Sequence, residues 1–331
     1  MNMSETAPPI ELTCSRLRNG NYIPGSCSDG RKLAIALGSG GMAGITPLGE
    51  LLSLKEFGTF KVVDCWLGDS IGGINAGICV ADQIEDASET FYQMKKQRFI
   101  DPLRALRIGG RAIDMKILQE SIEPILNTKK IANSPVPVNI GITKLKPYSR
   151  MSVDLSAVEP EEVIPWMMRG AHLPIAGGAA PRDSAGIPYA DPGLSSLGPI
   201  HRAVQDGCTD IIYLSCQPYA ADRKQAWQVG LVGAWGLRHD IGAVFKYNRV
   251  VDDQIKLREA YREGPFNYQG ANVVGFYPPM PKDTNETWPT LYTTDPGRLR
   301  SGFERAAEYM KNCLHTLMPE PEPVPVIPIA A

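Results

Sequence analysis

Twice between Lys32 and Gly77, a short apolar run stops at a glycine-rich turn and gives way to a helix-like pattern. The first run is Leu33–Leu37, followed by Gly38-Ser39-Gly40-Gly41-Met42-Ala43-Gly44 and a helical pattern over Ile45–Phe57. The second covers 62–67, followed by Gly68-Asp69-Ser70-Ile71-Gly72-Gly73 and small apolar residues as far as Ala81. Short apolar runs bounded by glycine predict buried strands of a mostly parallel sheet. Turns that follow such strands fall at their carboxyl ends, where open α/β sheets place ligands.

Beyond this stretch the pattern continues to alternate. Helical spacing appears at 88–99 and at 114–126, the latter opened by Asp114 as N-cap and striped by Ile117, Leu118, Ile122 and Ile125. Strands are expected at 136–143 and 150–155, joined as a hairpin across Lys146-Pro147-Tyr148. A helix at 161–170 begins behind Pro160 with two acidic residues, which suit the N-terminal dipole. A Gly/Pro-rich segment from Leu173 to Gly198 follows, then a short helix at 200–206 and a strand at 210–215. The pattern is helical from Asp222 to about Glu263, with a strand at 273–277 and a long helix at 298–317. Residues 1–30 show little periodicity and read as an N-terminal extension laid on a domain at 31–317. The motif-bearing part of that domain is 32–216, its helical C-terminal part is 217–317, and 318–331 is an extended Pro-rich tail.

Composition narrows the classes. A chain of 331 residues can bury a full core. Its net charge of −2 gives no electrostatic footprint for nucleic acid. No basic-then-apolar leader opens the chain, and no run reaches the roughly 18 apolar residues of a spanning helix. The seven cysteines are scattered without the paired spacing of a zinc site, as in reduced thiols of a cytoplasmic protein. No metal or other cofactor is expected.

The second glycine turn is Gly-x-Ser-x-Gly, which lifts Ser70 out of a tight strand-to-helix bend with its hydroxyl exposed. The first turn offers consecutive small residues whose backbone N–H groups could face a developing oxyanion. A nucleophile beside a nest of donors points to acyl transfer. The first turn also fits Gly-x-Gly-x-x-Ala, and Asp64 ends part of the next apolar run, as a ribose-binding acid would in a dinucleotide site. Against that, a second glycine turn carrying Ser70 would go unexplained, and Pro47 restricts the helix start. The base for Ser70 is a separate question. Four histidines exist, at 172, 201, 239 and 315, and an α/β-hydrolase would place acid then histidine after its serine. A carboxylate is the alternative: Asp191 ends Ile-Pro-Tyr-Ala in a tight Asp-Pro-Gly turn.

In four parts and in order, the chain resembles the patatin-like phospholipases. Gly38-Ser39-Gly40-Gly41-Met42-Ala43-Gly44 is similar to their glycine-rich oxyanion loop, and Gly68-Asp69-Ser70-Ile71-Gly72-Gly73 to their nucleophile motif. Ala171-His172-Leu173-Pro174 resembles the small-residue segment before the family's acid, and Tyr189-Ala190-Asp191-Pro192-Gly193 resembles the acid motif. The resemblance implies a three-layer α/β sandwich and a carboxylic-ester hydrolase with a Ser–Asp dyad. Ser70 would be the nucleophile and Asp191 the general base, with Gly40, Gly41 and Met42 giving the oxyanion hole. Gly38, Ser39, Gly44, Gly68, Gly72 and Gly193 would support these motifs. It also implies a lipid or other acyl-ester substrate and a cytoplasmic location, with contact at a membrane surface as a further expectation. Three positions depart from the family pattern: Ala43 in place of a cation, Pro192 after the acid and Ser39 in place of a loop glycine. They favour a non-phospholipid ester or an acyltransferase. A non-catalytic lipid- or nucleotide-binding protein is the alternative of another class. Trp227, Leu231 and Trp235, with Arg223, Lys224, Arg238, Lys246 and Arg249 around them, fit either a core helix or an interfacial lid.

Overall fold

The computed structural model describes residues 7–94, 99–101, 112–173, 177–217, 241–261, 263–278, 288–290 and 292–317. Eight described strands form a single sheet. They are β1 (Leu33–Leu37), β2 (Cys65–Gly68), β3 (Val138–Leu145), β4 (Tyr148–Asp154), β5 (Tyr189–Ala190), β6 (Asp210–Leu214), β7 (Gly264–Tyr268) and β8 (Ala271–Phe276). The order is β4-β3-β2-β1-β6-β8-β7, with β5 pairing off this path to β3. The five central strands β3, β2, β1, β6 and β8 run parallel, and β4, β5 and β7 are antiparallel.

Strand β1 shows why helices cover both faces. Leu33, Ile35 and Leu37 point into the larger core, and Ala34 and Ala36 into the other. The large side chains meet α1 (Pro8–Asn19), α2 (Ile45–Phe57) and α3 (Ile71–Ala81), with α4 (Ile84–Gln93), α5 (Met115–Ile122) and α6 (Thr128–Ala132) beyond. Helix α7 (Pro160–Gly170) also packs on this face. The alanines leave room for α8 (Pro199–Gln205) and for Leu257 of α9 (Ile241–Ala260). The last helix, α10 (Pro296–Leu317), lies against α2 so closely that a methyl on Gly49 would sit 2.2 Å from Phe303 O. The chain is thus a three-layer α/β sandwich with a mostly parallel sheet.

The register aligns the carboxyl ends of the strands. Leu37, the last residue of β1, pairs with Gly68 on one side and Leu214 on the other. Gly68 pairs in turn with Ile140 of β3. Both glycine turns therefore leave the same edge of the sheet, side by side.

Three local expectations change. The stretch 1–30 contains α1, whose period was hidden because Thr13 and Arg16 lie on its buried face. Arg16 is held there by Asp29 at 2.8 Å and Asp64 at 2.7 Å. The helix expected at 88–99 starts earlier, at Ile84, and its described part ends at Gln93. Strand β7 falls directly after the helical pattern; Pro265 obscured it, and it is tolerated because the strand is at the sheet edge. The Asp114 cap is present, accepting from Lys116 N–H. Residues 223–238, part of the lid-or-core reading, lie outside the described residues.

Candidate active site

Ser70 sits between β2 and α3 with φ 57° and ψ −124°, a left-handed backbone that a serine adopts at a cost of roughly 1–3 kcal/mol. Its flanking glycines make the bend possible by close approach. A methyl on Gly68 would lie 2.3 Å from the Gly72 backbone, and one on Gly72 would lie 2.5 Å from Leu37 O. The turn is closed by Gly72 N–H to Asp69 O and Gly73 N–H to Ser70 O. Helix α3 begins at the next residue, so its positive end lies beside the hydroxyl.

The first glycine turn stands next to it. Gly38 N–H donates to Leu214 O at 3.0 Å, and Asp69 N–H donates to Leu37 O at 3.1 Å. Residues Gly41–Gly44 form a 3-10 turn whose first bond runs from Ala43 N–H to Gly40 O. The N–H groups of Gly41 and Met42 precede any carbonyl that this turn could offer them. Gly40 packs on Cys216, whose Cβ would be 2.3 Å from a methyl there. Ser39 has no left-handed backbone, so replacing glycine there carries no strain. Ala43 is fully buried in the core, where a cation would lack solvent.

Asp191 approaches from β5, three-hundredths exposed at 3%. Its N–H donates to His172 O at 2.8 Å, and Thr143 Oγ1 donates to its carbonyl at 2.8 Å. Its Oδ1 accepts from Gly193 N–H at 2.8 Å, so Pro192, lacking an N–H, removes no bond to the carboxylate. Among the described residues, Oδ2 is buried without a hydrogen-bond partner. Burial pushes this carboxyl up to about 7, and the Asp69 charge pushes in the same direction. The neighbouring Ser70 hydroxyl and the Gly193 N–H pull it down.

Ser70, Asp191, Gly38, Ser39, Gly40, Gly41 and Gly193 all border one cleft of about 290 Å³. Leu173, Leu194, Leu197 and Leu257 give it an apolar wall. Tyr213, Tyr261 and Tyr277 give it an aromatic one, with ring centroids 6.1 and 5.7 Å from Tyr213 to the other two. Met42 and Gly44, further along the loop, are not among the residues that line it. Gly44 is pressed against Ile71, where a methyl would lie 2.5 Å from Ile71 Cγ1.

The competing candidates are occupied elsewhere. Asp64 lies at the opposite, amino edge of the sheet. It accepts from Arg16, Tyr22, Gly25 N–H and Leu33 N–H, which leaves no oxygen for a ribose. His172 gives Asp191 its carbonyl, while its ring Nε2 is 3.3 Å from Gly178 O. His201 Nδ1 pairs with the Tyr268 hydroxyl at 3.1 Å, and His315 is exposed on α10. None of these three borders the cleft, and His239 lies outside the described residues. Among the described residues, no group of three or more His, Cys, Asp or Glu could hold a metal.

Sequence reasoning did not find several neighbours of the site. Arg202 of α8 pairs with Asp69 at 2.8 Å, and Gln254 of α9 donates to Ser196 O at 2.6 Å and Gly193 O at 3.3 Å. The side chain of Asn75 on α3 donates to Gly44 O at 2.8 Å. Arg202 and Gln254 carry no local motif; Asn75 alone had a signal, as a polar residue inside an apolar helix.

The mostly parallel sheet with helices on both faces and the two glycine turns at its carboxyl edge make this a three-layer α/β protein. The sequence profile of the patatin-like phospholipases matches residues 35–204, and the chain belongs to that family. An uncharacterised NTE family protein of Mycobacterium bovis is 27% identical over 177 residues, covering 50% of this chain and 44% of the relative. Counterparts in two Mycobacterium tuberculosis strains match equally. The match thus spans less than half the length of these relatives. Among solved structures, VipD of Legionella pneumophila is similar over 86% of this chain and 67% of its own, at TM-score 0.44 and 14% identity. Human GIVD cytosolic phospholipase A2, solved with a fluorophosphonate inhibitor, is similar over 93% and 62%, at 0.48 and 11%.

Proposed function

We propose that the protein hydrolyses lipid-like carboxylic esters through an acyl-enzyme on Ser70, with Asp191 as general base. The observation that carries this reading is the strained Ser70 bordering the same cleft as Asp191, whose carboxyl burial raises to about 7. A general base works best when its proton affinity is matched to the operating pH. Family membership supports a lipid ester as substrate.

In the first step Asp191 takes the hydroxyl proton as Ser70 Oγ attacks the acyl carbonyl. Charge moves to the carbonyl oxygen, where the N–H groups of Gly40, Gly41 and Met42 receive it. One such donor is worth about 10²–10³ in kcat. The tetrahedral intermediate then collapses: the ester C–O bond breaks, and the protonated Asp191 delivers its proton to the departing alcohol. Water repeats the sequence on the acyl-serine, giving its proton to Asp191 and releasing the carboxylic acid. The dipole of α3 favours the developing negative charge throughout.

The test is hydrolysis of an ester panel varied in acyl length and head group, comparing the parent with Ser70→Ala. Turnover confined to the parent supports the reading. Equal turnover by Ser70→Ala contradicts it. A faster reaction in added alcohol than in water would make the protein an acyltransferase with the same dyad.

A further inference from the structure

Asp69 and Arg202 form a buried ion pair beneath the serine turn, and no step above uses it. Asp69 Oδ1 lies 2.8 Å from Arg202 Nη1, and both side chains are 7% exposed. Arg202 Nη2 also donates to Gly68 O at 3.1 Å and to Asn139 O at 3.3 Å. One guanidinium therefore holds the end of β2, the residue before Ser70 and the neighbouring strand β3.

The pair also reaches the other half of the site. A methyl on Gly141 would lie 2.3 Å from Arg202 Nη1, 2.3 Å from Asp69 Oδ1 and 2.9 Å from Pro192 Cβ. The crevice over Gly141 thus brings the ion pair against the turn that Asp191 opens. Asp69 and Asp191 border the same cleft.

Burying two charges carries a large desolvation cost before their attraction offsets it, so such a pair is weak evidence of stabilisation alone. Its placement gives it another consequence. A bare carboxylate at position 69 would oppose ionisation of a carboxyl close by, and an adjacent guanidinium offsets part of that field. The geometry points to Arg202 as a positioning residue for the dyad: acting through Asp69, it fixes the serine turn and screens Asp191 from the Asp69 charge.

Among the described residues, the other groups facing Asp191 are neutral near pH 7. From α9 comes Tyr247, whose hydroxyl is pushed up to about 12 by burial and then by Asp191 itself. Tyr148 of β4 stands one step further out with its hydroxyl on Leu194 O, and burial raises it as well. Ser70 supplies its hydroxyl, and His172 its backbone carbonyl.

This inference rests on the dyad reading, but its readout does not require turnover. The full chain is labelled with ¹³C at aspartate carboxyl carbons, the Asp191 resonance is assigned with Asp191→Asn, and its titration is followed by NMR. Arg202→Gln should raise the Asp191 midpoint by about one pH unit, a tenfold change in proton affinity. Asp69→Asn, leaving the guanidinium uncompensated, should lower it by a similar amount. The double variant should return near the parent. Should Arg202→Gln fail to fold, the double variant read against Asp69→Asn decides, since the two midpoints differ only if the guanidinium acts on Asp191. Unmoved midpoints, or single variants shifting in the same direction, would overturn the proposal. Absence of Ser70-dependent ester turnover would instead sink the dyad reading and leave the titration result standing.

Discussion

Asn75 donates its side-chain amide to Gly44 O at 2.8 Å, and these two residues belong to the two halves of the candidate site. Gly44 ends the 3-10 turn of the glycine loop, and Asn75 lies on the helix that begins after Ser70. The bond is fully buried, so it sets the spacing between the loop N–H groups and the nucleophile without competition from water. Asn75→Leu keeps the volume and deletes the donor. The expected result is a fall in kcat of about 10–100-fold with little change in KM, since misplacement by about 1 Å can cost that much. Stability should drop by about 1–3 kcal/mol, the cost of stranding Gly44 O. Steady-state kinetics and urea denaturation measure the two effects.

The proton affinity of Asp191 fixes a pH dependence with a definite sign. In the proposed mechanism the base works ionised, so kcat/KM should rise with pH, with its midpoint near 7, and level off above it. Stability runs the other way. A carboxyl raised by folding holds its proton more tightly in the native state than in the unfolded chain. Its contribution is complete below the usual carboxylate range and is lost as pH rises through about 7. Asp191→Asn should therefore abolish turnover and flatten this part of the stability profile. A pH–rate curve and denaturation series from pH 4 to 8 check both.

Glu50 gives a second pH signature, away from the chemistry. It is fully buried on α2, and among the described residues neither carboxylate oxygen has a hydrogen-bond partner. Burial holds the carboxyl protonated well above its ordinary value of 4.5. Its neighbours Cys216, Cys313 and Tyr309 are themselves raised, by burial first and by Glu50 among lesser causes. Native stability should fall by about 1.4 kcal/mol per pH unit above the unfolded value, until the folded value is passed. Glu50→Gln removes the ionisable proton at nearly constant shape. It should match the parent near pH 4.5 and exceed it in stability at pH 8, as read from urea midpoints.

Both glycine turns were legible in the chain because each needs a local signature, and Ser70 and Asp191, the two residues proposed as the dyad, border one cleft. Gly68 and Gly72 are dictated by backbone contacts of 2.3 and 2.5 Å, which exclude any side chain. The unbroken apolar run of β1 predicted a buried strand, and the fold places its leucines and isoleucine on one face and its alanines on the other. Helix α1 was not legible, because its inward face carries Arg16, and the ion pairs that satisfy Arg16 arise only in the fold. Arg202 was hidden for the same reason. Its partners lie on β2, β3 and the serine turn, and nothing on the short helix α8 announces them. Asp64 misled in the other direction: its sequence position suits a ribose acid, whereas the fold spends it on α1 and the start of β1.

The central claim is that Ser70 is a nucleophile made reactive by Asp191. A fluorophosphonate probe, followed by mass spectrometry of the digested protein, reads this directly, because the phosphonyl group attaches to activated serines. The expected adduct is stoichiometric on the peptide carrying Ser70 in the parent, absent in Ser70→Ala, and slowed by at least 10²-fold in Asp191→Asn. An adduct on another residue, or labelling of Asp191→Asn at the parent rate, would contradict the account.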